Sequence, residues 1–140
     1  MRLASVAAIL KYLNDNTTVH LYGDGVLVDL PMRYGDGDGV RLLVEPVGKG
    51  YRVTDRGEAA DRLQVAGVSL DARRTADALA EVARTARLDG VGAEQGELSV
   101  YGLADELGRM LVDVACASLR VDELRAGAKD TQNCRARRSI

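Results

Sequence analysis

Hydrophobic and polar positions repeat with a period that changes along the chain. Leu3, Val6, Leu10 and Leu13, with Ile9 beside them, recur at steps of three or four, which predicts an amphipathic helix. Asn14, Asp15 and Asn16 are turn-prone and end it. From Val19 the period falls to two. Val19 and Leu21 alternate with His20 and Tyr22, while Val26, Val28, Leu30 and Met32 share a strand face opposite Asp29 and Arg33. Val40, Leu42 and Val44 alternate with Arg41, Leu43 and Glu45. Tyr51, Val53 and Asp55 alternate with Arg52 and Thr54. Turn signals at Gly23-Asp24-Gly25, at Gly35 to Gly39 and at Gly48-Lys49-Gly50 separate these runs, so four strands form an antiparallel meander. Pro31 has no N–H for a ladder and marks an edge position or a bulge.

After Asp55 the helical period returns. A short helix over Glu58–Ala66 is capped by Thr54 or Asp55 and ended by Gly67. A longer helix runs from about Asp71 to Leu88, with Asp89-Gly90 closing it. A short strand fits Glu97–Tyr101. Leu103, Leu107, Met110, Val114, Ala117 and Val121 then define a helix over Leu103–Leu124. The reading is α+β. One domain spans residues 1–124, with an N-terminal helix, the four-stranded meander and three further helices packed on one sheet face. Leu111 and Leu124 widen the apolar face of the last helix, which makes a homodimer possible. From Arg125 the periodicity stops. Residues 125–140 hold five basic side chains and one acidic, and a flexible basic tail is expected there.

Composition narrows the function classes. With 140 residues, 46% of them hydrophobic, the chain can bury a core without a disulfide or metal. Phe and Trp are absent, so Leu, Val, Ala, Ile and Met build that core. His20 is the only histidine, which excludes multi-histidine metal sites. Cys116 and Cys134 make neither a disulfide framework nor a zinc site. Packing is the expected role of Cys116, and Cys134 sits in the tail, open to adventitious oxidation. The apolar run Leu3–Leu10 is too short for a secretory signal or a membrane helix, so no membrane is involved and a cytoplasmic protein is expected. The net charge of −2 does not by itself point to nucleic acid.

Thr54-Asp55-Arg56-Gly57, followed by Leu63 and Ala66-Gly67-Val68, resembles the T-D-x-G … L … x-G-[IV] signature of the bacterial and phage domain of unknown function 1828. The order of elements also resembles that family's, with Arg73 and Arg74 in its arginine-bearing helix, over roughly Ala8 to Leu124. The place of the family's D-x-x-x-D turn is taken by Tyr34-Gly35-Asp36-Gly37-Asp38. The resemblance makes Thr54, Asp55, Gly57 and Gly67 motif residues. It implies an accessory protein of phages or mobile elements that interferes with, or regulates, other proteins.

Several groups carry candidate chemistry. Asp36 to Gly39 opens like a calcium loop, but Val47 stands where the bidentate Glu is needed, so a hairpin turn accounts for it. Neither glycine-rich turn has the strand-to-helix context of a phosphate loop. Asp29, Glu45 and Asp55 could converge on a divalent metal, but cross-strand ion pairs explain the same residues. His20 could be a general base, although no marked nucleophile lies near it in sequence. Asp55 reads first as a cap. Arg33, Arg41 and Arg52 with Tyr34 and Tyr51 form the candidate recognition surface, since Tyr and Arg are favoured interface anchors. No catalytic residue, metal or cofactor is assigned. The leading expectation is a non-enzymatic module that binds a protein partner and inhibits or regulates a host system, such as a defence system. Nucleic-acid binding through the sheet arginines and basic tail is the second, and a metal-dependent nuclease or hydrolase the third.

Overall fold

The computed structural model describes the backbone of residues 2–89 and 96–138, with side chains through Arg125. Helix α1 (Leu3–Asp15) leads into strands β1 (Thr18–Tyr22), β2 (Gly25–Arg33), β3 (Gly39–Val47) and β4 (Gly50–Thr54). Helices α2 (Glu58–Val65) and α3 (Arg73–Thr85) follow, then β5 (Ser99–Gly102), one 3-10 turn (Ala104–Glu106) and α4 (Leu107–Arg138). The fold is α+β, but the antiparallel sheet has five strands in the order β1-β2-β3-β4-β5 rather than four, because Ser99–Gly102 pairs with β4.

The strand period builds the core. Val28, Leu42, Val44, Val53 and Val100 come from one sheet face and pack with Leu63 of α2, Leu79 of α3, and Met110, Val114 and Val121 of α4. Leu42, Leu63 and Met110 are fully buried, each worth about 1.5–3 kcal/mol of transfer free energy. Helix α4 lies against β3, β4 and β5, and α2 and α3 pack beside it. Leu111 and Leu124 are half-buried against this core, so they are engaged within the domain. Cys116 instead faces out.

Pro31 sits where the β2–β3 register shifts, between Asp29 and Arg33, so the missing N–H falls at an irregularity although β2 is an interior strand. Helix α3 starts two residues after Asp71. It is closed by Arg87, at φ 61°, rather than by Asp89-Gly90: Leu88 N–H bonds Ala83 O and Arg87 N–H bonds Arg84 O. Gly90 lies outside the described residues. The backbone of α4 continues as helix to Arg138 through the segment expected to be a flexible tail, and the side chains of that extension, Cys134 among them, lie outside the described ones.

Candidate functional site

The sheet face away from the helices is laid out by the strand registers. Tyr22, Gly25, Glu45, Arg52 and Tyr101 form one row across it. His20, Leu27, Leu43, Thr54 and Ser99 form the next, and Thr18, Asp29 and Arg41 a third. Leu27 and Leu43 are buried there, outside the main core. The charges on this face are paired. Arg41 Nε and Nη2 donate to both carboxylate oxygens of Asp29 at 2.5 and 3.0 Å. Arg52 donates to Glu45 at 3.0 Å and to Glu97 at 2.6 Å. The Arg41 guanidinium holds the Asp29 carboxyl down at about 2, against a smaller opposing effect of burial. Tyr22 and Tyr101 stand about half exposed at opposite ends of their row.

Where β4 ends, the chain turns into α2 through Thr54-Asp55-Arg56-Gly57. Asp55 is 1% exposed, and its carboxylate has four donors. Oδ1 accepts the N–H groups of Gly57 (2.9 Å) and Leu98 (3.0 Å), and Oδ2 accepts Ser118 Oγ–H (2.9 Å) and Ala59 N–H (3.3 Å). One side chain thereby ties the start of α2, the approach to β5 and the middle of α4. Burial pushes its pKa up, against four hydrogen bonds that favour the anion. Thr54 Oγ1 accepts Arg56 N–H at 3.0 Å and donates to Glu97. Gly57 has φ 76°, a left-handed conformation that favours glycine. At the far end of α2, Gly67 has φ 88°; its N–H bonds Gln64 O and that of Val68 bonds Leu63 O, a Schellman close. Leu63 is the fully buried anchor between them. Residues 30–121, well over half the chain, match the family model of the domain of unknown function DUF1828. The chain belongs to the DUF1828 family. No curated protein and no solved structure matches it. In this DUF1828 domain each motif residue holds backbone in place: Thr54 and Asp55 by hydrogen bonds, Gly57 and Gly67 by conformation.

The turn between β2 and β3 is held by a residue that the sequence reading missed. Arg62, 12% exposed at its side chain, donates to Asp36, to Asp38 at 2.8 Å and to Glu58 at 3.1 Å, and its guanidinium lies 4.1 Å from the Tyr34 ring centroid. Burial disfavours this cation, but Asp38 and Asp36 outweigh it and hold its pKa above the ordinary arginine value. Tyr34 is 3% exposed and its hydroxyl meets Ser118 Oγ at 3.2 Å; burial raises it to about 12. Beside this knot lies a charged cleft of about 620 Å³, with Asp29, Arg41, Arg56, Glu58 and Arg62 in its wall. Arg56 reaches from the cleft to Tyr22, its guanidinium 5.0 Å from the ring centroid and its Nη2 3.3 Å from the hydroxyl. Its backbone has φ 60°, a strained value for a residue other than glycine.

The five residues expected to form one recognition surface are therefore divided. Arg41 and Arg52 lie on the outer face. Tyr34 is buried under Arg62, so it is no surface anchor. Tyr51 has the strand parity of Val53 and packs against the core. Arg33 is exposed at the end of β2, with one long bond, 3.4 Å, to Gly37 O. Asp29, Glu45 and Asp55 do not converge: the first two pair with different arginines in different rows, and Asp55 is enclosed by its donors. The described residues contain no group of three metal-ligating side chains. No helix among them is long and apolar enough to cross a membrane. His20 Nε2 lies 2.9 Å from Asp29 and 3.4 Å from Thr18 Oγ1. A relay needs the base to face its acid and its nucleophile with different ring nitrogens, and here one nitrogen meets both. Tyr22, Arg56 and Tyr101 were not singled out from sequence. The available signals were strand parity for the tyrosines and the variable place between Asp55 and Gly57 for Arg56.

Proposed function

We propose that this DUF1828 chain is a non-enzymatic protein-binding module whose outer sheet face, continuous with the charged cleft, receives a protein partner. The observation that carries this reading is the pairing of the outer-face charges: Arg41 is neutralised by Asp29, and Arg52 by Glu45 and Glu97. A phosphate backbone is held by cations whose charge is free to be neutralised. An array of fixed ion pairs flanked by half-exposed tyrosines suits the mixed polarity of a protein surface, where Tyr and Arg are enriched among anchors. Arg56 supports the same reading, because a strained residue at the cleft mouth is the kind of position that binding sites retain. The family resemblance adds the setting: a cytoplasmic accessory protein of a phage or mobile element, inhibiting or regulating a host system.

Affinity capture from host lysate, with and without nuclease and at low and high salt, tests it. One protein retained through every treatment is expected. Retention abolished by nuclease, or falling steeply with salt, would replace this reading with nucleic-acid binding.

A further inference from the structure

Helix α1 and strand β1 precede the segment that matches DUF1828, and they form the least covered part of the described residues. None of the α1 residues is buried, and all five residues of β1 are exposed. The exposed groups include Leu3 (87%), Ile9, Leu10 and Leu13 on the helix, with Val19 (60%) and Leu21 (91%) on the strand. Val19 and Leu21 lie on the core side of the sheet, opposite Val28 and Val26, where no helix among the described residues covers them. A solitary helix of 13 residues is marginal in water, so packing must supply its stability.

We propose that a second copy of this chain covers this region, with the two β1 edges pairing antiparallel about His20. β1 is an edge strand, so one side of its backbone has no ladder partner within the sheet. A two-residue loop makes its flanking pair, Tyr22 and Gly25, a hydrogen-bonded one, and alternation turns the N–H and C=O of Leu21 and Val19 outward. A dyad at His20 sets Val19 of one copy opposite Leu21 of the other, so the outward groups meet and the apolar side chains share one face. It joins two five-stranded sheets into one. The six apolar side chains on α1 and β1 offer an area on the order of 800 Å² per copy, the size of a stable interface. Charge favours a copy of the same chain over an acidic partner, since Lys11 and Asp15 pair with each other within α1.

The full chain with Cys116→Ser and Cys134→Ser, carrying His20→Cys, tests the register. A non-hydrogen-bonded antiparallel pair has a Cα separation of about 4.5 Å, within disulfide reach. Mild oxidation is expected to give a covalent dimer from His20→Cys and none from Asp24→Cys at the hairpin turn. Light scattering of the unaltered chain is expected to give twice its 15.0 kDa mass. Leu21→Lys should halve that mass while leaving the circular dichroism unchanged, and if it unfolds the chain the cross-link decides. A monomeric unaltered chain, a dimer that survives Leu21→Lys, or equal cross-linking at positions 20 and 24 would overturn the proposal.

Discussion

The two sides of the β4–α2 junction use charge in opposite ways. Inward, Asp55 spends its four hydrogen bonds on the protein's own backbone and on Ser118. Outward, Arg41, Arg52 and Arg56 are held in fixed positions on an uncovered face. Asp55, the family-motif residue with the most hydrogen bonds, lies on the inward side, whereas the arginines proposed to meet a partner lie on the outward side. A family signature can thus record how a fold is closed while leaving its partner unstated.

Asp55→Ala should show the largest effect. It leaves the N–H groups of Gly57, Ala59 and Leu98 and the Ser118 hydroxyl without their acceptor, so urea unfolding should register a loss of about 3 kcal/mol or more. Arg62→Ala should come next, at about 1–2 kcal/mol, because it frees the β2–β3 turn and uncovers Tyr34, while the exposed ends of its ion pairs add little. The two helix ends should respond with opposite signs. Gly67→Ala forces a side chain into a left-handed position and should cost about 1 kcal/mol, whereas Arg87→Gly relieves the same strain and should stabilise by up to about 1 kcal/mol in the same assay.

Two titrations distinguish the regions. Tyr34 is raised to about 12, so the stability drawn from its neutral phenol is full below pH 10 and is lost as pH rises through 12. Ultraviolet titration should show one component near 12 that vanishes in Tyr34→Phe. Asp29 is lowered to about 2, so its contribution is full above pH 3.8 and is lost as pH falls through 2. The smallest stability effect belongs to the outer face: Arg41→Ala with Tyr101→Ala should lower the unfolding free energy by less than about 1 kcal/mol, since Arg41 is exposed, its ion pair with Asp29 is screened by solvent, and Tyr101 is about half exposed.

Much of the fold was legible from periodicity and turn chemistry. The alternation of Val26, Val28, Val40, Leu42, Val44 and Val53 named the core face, and Gly67 named the end of α2. The fifth strand was visible only as a local run, because its pairing with β4 is a long-range contact that no local period encodes. Arg87 was missed as a helix stop because arginine seldom adopts the left-handed conformation. Tyr34 reads as a surface residue beside Arg33, and its burial depends on Arg62 and Ser118 arriving from α2 and α4. Of the candidate site, Arg41 and Arg52 followed from strand parity. Arg56 was hidden because its position depends on a backbone conformation, and Tyr22 and Tyr101 because rows across a sheet depend on register.

The most direct measurement compares partner capture by the unaltered chain, by Arg41→Ala/Tyr101→Ala and by Arg73→Ala/Arg74→Ala on α3, with urea unfolding run beside each. The expected result is a captured protein retained by the α3 variant and lost from the outer-face variant, which stays folded with only the small loss of stability given above. Full retention by the folded outer-face variant would contradict the assignment of binding to the outer sheet face.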